Sequence, residues 1–578
     1  MLNHHPMPCV ASLRRVGWAG RLRSFLASGV AVLAATRVLG VEDVPEGGFR
    51  WIQGYDGNAP TQGFRVDGLL RIEAPDEPQP VGIHLESGKV EVGASGEIQV
   101  RYGPGGSRFI LGDVVNDGLI SLKSSLAFSR DGAEWVNRGV IEAVNDVGLG
   151  ITGKDAVFRQ ISGEIRLADP SQRLEFHNRS RFIYQGGKVS GRPVLIGASA
   201  EVQAEGTQAL ALQFLGQGSS LEGRFPEDLS VLVASDDAHG PGSLALNTPG
   251  PIEGLLELVA GSASSGAVLE LPRDEATLGA RGVLRVKPGA GLAEIRGRLA
   301  LEGWLDVPGS ARWTTRGESL TNRGRIRLPF GGRLQAAATM VQAGGTLQIL
   351  GGQLELARGL SVDGGTLVAS GTIAGSLTNG ALAVVDQEQP GRVRGDWTQT
   401  AGGTLRVRVL ETSPLAEPAL QVTGPVSLRG TLEVMVADGV QLSRGAELRL
   451  VQASRIEGWF DRLELPTLEA GLHWRVVPSD GEVRLAVQDA PPPLLLEWLQ
   501  GDLSDRIRVS GPWTPEMQLV VHVSRDLKHW TPFAGLDPFV GLAQFPVPRA
   551  DDPSQVGTTV YQAFLIPLSA ASAARSGP

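Results

Sequence analysis

The chain has 578 residues, enough for two to four domains or for one long repeat array. Gly supplies 77 of them, charged residues 20% and hydrophobic residues 42%, a balance that excludes an acidic disordered tail, a coiled coil and a multispan membrane protein. The 53 basic residues, mostly Arg, face 62 acidic ones, and a net charge of -9 with no basic stripe excludes ordinary nucleic-acid binding.

The first feature in chain order is the segment 1–40. Arg14, Arg15, Arg21 and Arg23 precede an apolar run at 25–35, which small residues and then Glu42 follow. A positive flank, an apolar stretch too short to span a bilayer and small residues at the cleavage point mark a secretory signal peptide. A buried helix that stays attached is the competing reading, although Arg37 interrupts the run before spanning length is reached. Cleavage would remove the single cysteine, Cys9, so the mature chain would have no disulfide, thiolate nucleophile or cysteine-ligated metal. Five arginines and no acids would leave with it, for a mature net charge of about -14.

From about Phe49 to Val487 one pattern recurs: four to six alternating apolar and polar residues, then Gly with Asn, Asp, Ser or Thr. Such alternation predicts short strands, among them 69–73, 90–92, 97–100, 354–356 and 405–409, and no helix of ten residues. Two sets of related segments punctuate the stretch. One begins at Asn116-Asp117-Gly118, Asn137-Arg138-Gly139 and Asn322-Arg323-Gly324; the other carries Gly-Thr-Leu at Gly345, Gly365, Gly403 and Gly430.

A period near 20 to 25 residues with several short strands fits one coil of a parallel β-solenoid, each strand pairing with its counterpart about 4.8 Å away. Gly and Asn then recur because corners need positive backbone dihedrals, and an Asn amide can also bond neighbouring backbone. Spacing that drifts along the chain leaves a string of separate antiparallel sandwiches as the alternative. The expected organisation is irregular solenoid over 41–335 and a β-helix end region over 336–488.

Three consecutive prolines within 489–494 cannot join a central strand and predict a stiff linker. The segment 495–568 reads as a small β-sandwich, with strands near 506–509, 518–523 and 559–566 and with Trp498, Trp513, Trp530 and Tyr561 as anchors. Residues 569–578 are small and polar and read as a disordered tail.

The residues from Pro390 to Leu405, with Gly430-Thr431-Leu432 and the run from Gly445 to Val451, resemble the closing segment of autotransporter-passenger-like β-helix repeat proteins of Gram-negative bacteria. Ile456-Glu457-Gly458-Trp459-Phe460, Leu465-Pro466 and Gly471-Leu472-His473-Trp474 look like the usual ending of such chains. The likeness covers Ala336 to Val487 and implies the fold and an exported, secreted or outer-surface location, not an activity. The tail, with Val521-His522-Val523-Ser524 and Tyr561-Gln562-Ala563, resembles a C-terminal sandwich module of exported bacterial proteins. Neither a C-terminal membrane barrel nor a terminal apolar helix with an arginine cluster is legible, so the mature chain is expected to lack an integral membrane segment.

Chemistry is sparse. Asp236, Asp237 and His239 are the best catalytic candidates, since an acid pair and a histidine could divide acid and base roles and look superficially like elements of polygalacturonases. In that family the elements lie on separate coils; here they fall within five residues before Pro241-Gly242, a composition that reads as a turn. Arg325 and Arg327, like Arg406 and Arg408, alternate with apolar residues and are expected to point outward as a solvated face. No histidine spacing or acidic loop fits a metal, and no Gly-rich run precedes a helix as a phosphate cradle.

The expectation is therefore all-β: a parallel β-solenoid followed by a small C-terminal β-sandwich, without a catalytic residue, cofactor-binding residue or metal site. Its role would be structural or adhesin-like, with extracellular glycans or cell-envelope and matrix components as partners. A polysaccharide-binding or polysaccharide-degrading β-helix is the alternative.

Overall fold

The computed structural model describes residues 43–53, 63–74, 80–103, 107–144, 146–167, 172–206, 208–315, 319–412, 417–477 and 481–489 with their side chains. It also describes the backbone alone of 478–479 and of six strands between 495 and 567. The expected signal peptide, the linker beyond Asp489 and the tail from 569 lie outside the described residues.

A parallel β-solenoid runs over residues 49–408 in about 15 turns. The alternation seen in the sequence becomes alternation in burial: Leu69–Glu73 places Leu70 and Ile72 inside and Arg71 outside, and Arg325–Leu328 repeats the pattern with Ile326 and Leu328. Because parallel pairing stacks equivalent positions, each inward residue meets another above and below, and the core is a set of aliphatic columns. The chain separates into two compact units, one of 1–299 with 309–312 and one of 300–308 with 313–578.

In the first unit one turn has the three strands Leu119–Leu122, Leu126–Phe128 and Glu134–Asn137, and in the turn before it the single long strand Arg108–Asn116 pairs with both of the last two. One side stacks Phe49–Gln53, Leu69–Glu73, Glu97–Arg101, Leu119–Leu122, Val140–Ala143, Glu164–Leu167 and Lys188–Ser190, every pair parallel. Further along the unit, this third side thins to single bridges joining Phe225, Ile252 and Leu278. The interior between is aromatic over residues 128–184: Phe128 stacks on Trp135 at 4.6 Å, Trp135 meets Phe158 edge-on at 5.9 Å, and Phe176 and Phe182 follow at 5.3 Å.

In the second unit Ser319–Asn322, Thr339–Gln342, Leu360–Val362, Leu377–Asn379, Trp397–Gln399, Pro425–Leu428 and Arg455–Gly458 form one parallel side. The Gly-Thr-Leu repeats lie on another, where Thr346 pairs with Thr366, and Thr404 with Thr431. The sense of pairing then reverses: Glu447–Gln452 pairs antiparallel with Glu482–Asp489, which pairs antiparallel with Leu472–Ser479. A parallel edge is a template for adventitious pairing, and this hairpin covers it. Glu482 lies at the reversal between Arg449, at 2.5 Å, and Arg484.

Beyond the linker the backbone forms two three-stranded antiparallel sheets, Leu495–Leu499, Asp505–Ser510 and Leu542–Val547 in one and Thr531–Leu536, Met517–Ser524 and Val560–Pro567 in the other. Asp505–Ser510 and Met517–Ser524 cover the expected segments 506–509 and 518–523, and Val560–Pro567 overlaps the expected 559–566 from its second residue on.

Candidate functional site

The recurring Asn-x-Gly motif has a definite job. Asn116, Asn137 and Gln160 end strands on successive turns, pair in register and are at most 1% exposed. Asn116 Nδ2 donates to Asn137 Oδ1 at 2.7 Å, and Asn137 Nδ2 donates to Gln160 Oε1 at 2.7 Å. Gln160 Nε2 donates to the Ser162 carbonyl at 2.6 Å, and on the next turn the Tyr184 hydroxyl donates to the Gly187 carbonyl at 2.5 Å. A buried amide needs several partners, and a ladder of Asn and Gln neighbours supplies some of them while fixing the register of the turns, with Asn116 Oδ1 left without one. The second unit uses the device twice in one column: Asn322 bonds Gln342 at 2.6 Å, Val362 intervenes, and Asn379 bonds Gln399 at 2.8 Å. Glycine is required just beyond: Gly163 and Gly345 have φ of 71° and 58°, and a Cβ on either would come within about 2 Å of the glycine carbonyl one turn earlier.

The acid pair and histidine singled out in the sequence occupy a corner of the first unit between Ser230–Ser235 and Gly242–Asn247. Asp236 and Gly240 close the corner through an antiparallel bridge. The Asp236 carboxylate accepts the N–H groups of Ala238 at 3.0 Å and His239 at 2.6 Å, and His239 Nδ1 lies 2.9 Å from both its oxygens. This is an Asx-type turn closed on itself. Burial pushes the Asp236 carboxyl up, but the hydrogen bonds and charge of His239 and the Ala238 N–H outweigh it, so it sits below the usual aspartate value. Asp237 is exposed beside it. The structure thus brings Asp236 and His239 together and leaves Asp237 facing outward. The same corner one turn on is the serine turn Ser262–Ser265, anchored by Ser235 Oγ, which donates to the Ser265 carbonyl at 2.7 Å.

Elsewhere the outward positions form rows of opposite charge. Arg406 bonds Glu433 at 2.8 Å, Arg408 reaches Asp386 at 3.4 Å, and Arg325 lies over the Trp304 ring at 5.1 Å while donating to Gln348 at 2.9 Å. The arginines at 325, 327, 406 and 408 lie on the outward side of their strands as expected, and Arg406 and Arg408 pair with acids along the stacking direction. Among the described residues no group of three or more His, Cys, Asp or Glu side chains is placed to hold a metal ion.

Two surface features were not singled out by the sequence reading. In the first unit Phe49 and Trp51, 54% and 42% exposed, flank the Arg71 guanidinium, which lies 5.0 and 5.6 Å from their ring centres. In the second unit an open groove of about 350 Å³ crosses three turns, lined by Arg392, Arg394, Gln421, Thr423, Gln452 and Ser454 among others. Register assembles it: Arg392 pairs with Gln421, and Gln421 with Gln452. The only local signal was the Arg-x-Arg alternation at 392 and 394, shared with pairs that have acidic neighbours.

No protein-family model matches the chain. No curated protein matches it either.

Proposed function

We propose that this chain is a secreted or cell-surface structural protein, adhesin-like and without a catalytic role. Contact with extracellular glycans or with cell-envelope and matrix components is made through the outer faces of its turns. The supporting observation is register: parallel turns repeat their outward positions at about 4.8 Å, so many weak equivalent contacts can act together. The likeness of 336–487 to autotransporter-passenger-like β-helix proteins and the signal-like segment 1–40 favour export from a Gram-negative cell. In the same reading the two C-terminal sheets stack as a sandwich.

Fractionation of the producing cells into medium, envelope and cytosol, followed by a pull-down of envelope and matrix material with the purified chain, tests this. The chain should partition to medium or envelope and retain polymeric material. A cytosolic protein would overturn the location, and turnover of a glycan panel that is abolished in Asp237→Asn would overturn the non-catalytic role.

The alternative of polysaccharide binding has its own support, the groove of Arg392 and Arg394, whose lining offers cations, amides and hydroxyls to a hydroxyl-rich ligand.

A further inference from the structure

We infer that the groove crossing residues 392–454 binds a carboxylated polysaccharide, with Arg394 as the principal anion contact. This rests on the adhesive reading above and names the chemistry of one partner.

The two rows that line the groove begin earlier in the unit, and their changing composition carries the argument. Along the first, Arg333 pairs in register with Gln353, Gln353 with Thr372, Thr372 with Arg392 and Arg392 with Gln421. Along the second, Gln335 pairs with Glu355, Glu355 with Ala374 and Ala374 with Arg394. At the early turns the charges cancel: Glu355 binds Arg333 at 2.7 Å and Gln335 at 2.6 Å, and the Arg333 hydrogen bond, against burial, holds its carboxyl below the usual value. Across the groove, by contrast, the described lining residues include two arginines and no carboxylate.

Arg392 is partly engaged, since Glu417 lies 3.4 Å from its guanidinium and also accepts from Gln421 at 3.5 Å. Arg394 is exposed, and its guanidinium makes no hydrogen bond or ion pair among the described residues. The acid whose field it feels, Glu355, is two turns away and already paired.

A planar guanidinium matches a carboxylate with two parallel N–H donors, and this exposed one retains that capacity because no described residue fills it. Gln421, Gln452, Thr423 and Ser454 add neutral donors and acceptors on neighbouring turns, at intervals of about 4.8 Å that suit successive sugar hydroxyls. Nucleic acid fits less well, because the lining contains no aromatic ring on which a base could stack and the whole chain is acidic.

The test is calorimetric titration of the purified full chain with oligogalacturonate, and with its methyl ester as the uncharged probe. Oligogalacturonate should bind, the ester should bind at least tenfold more weakly, and Arg394→Gln should weaken the acid form about tenfold. Arg394→Lys should recover part of the loss. Arg358→Gln, an exposed arginine outside the groove, should change nothing, and circular dichroism should match for all variants. Equal binding of acid and ester, or undiminished binding by Arg394→Gln, overturns the inference, as does preference for single-stranded DNA. If envelope material is still retained in the pull-down while oligogalacturonate fails to bind, the groove assignment falls and the adhesive reading stands. If neither binds, both fall.

Discussion

Two corners of the first unit handle polar side chains in opposite ways. At Asn116, Asn137 and Gln160 the polar group is inside, fully enclosed, and bonded to the turn next to it, Asn116 Oδ1 alone having no partner among the described residues. At Asp236 it is at the surface and satisfied by its own turn, through the N–H groups of Ala238 and His239. The first corner depends on its neighbours and in return holds them in register, while the second could be altered without any other turn noticing. Polar residues in a solenoid are therefore to be judged by whether their partners lie across turns or within one.

The contrast breaks most sharply at Asn137, which bonds in both directions. Asn137→Leu removes the acceptor of Asn116 and the donor to Gln160 in a place without water access. Two stranded amide groups, partly offset by added apolar burial, should cost about 2–4 kcal/mol, seen as a lower urea midpoint. Because turns contact only their neighbours, amide exchange should accelerate first in 114–163. A variant that exchanges no faster there would show that the ladder does not fix register.

Much of this was legible in the sequence. The strands at 69–73 and 405–409 and the corner glycines follow from alternation and from Asn-x-Gly. What alternation could not give was the continuation of the ladders by Gln160, Gln342 and Gln399, because the residue at the same strand-end position changes from Asn to Gln. Gln160 and Gln342 donate to the carbonyl two residues on, as Asn137 does, so the contact is kept while the motif is not. The groove was hidden for another reason: Arg394 and Ser454 are far apart in the chain, and only stacking registers bring them to one surface.

A middle case sharpens the comparison, because Glu482 is charged, nearly buried and held from both sides. Burial pushes its carboxyl up, but hydrogen bonds from Arg484 and Arg449 and their charges outweigh this, leaving it below the ordinary glutamate value. Its contribution to stability is then complete above the unfolded-state value and is lost as pH falls through the lowered folded-state value. Glu482→Gln should cost about 1–2 kcal/mol at neutral pH, since two guanidinium groups lose their counter-charge. The variant's deficit should shrink on acidification below the usual carboxylate range, measured as urea midpoints across pH with exchange followed in 446–489. A deficit that persists at low pH would mean that shape rather than charge holds the hairpin.

The smallest effect belongs to Asp236. Its side chain is 43% exposed and that of His239 26%, so solvent screens most of their attraction. In Asp236→Asn the amide oxygen can still accept the N–H groups of Ala238 and His239, and the loss should stay below about 0.5 kcal/mol. Asp236→Ala removes the acceptor itself and should cost about 1 kcal/mol, as a lost cap does. Here too the charge contributes above the ordinary aspartate value and fades as pH drops through the lowered one, so the Asn variant should flatten that part of the acid profile. Exchange at 114–163 should be unchanged in both variants. If Asp236→Asn instead loosened that ladder, the corner would be coupled across turns, and the distinction between self-contained and shared polar corners would fail.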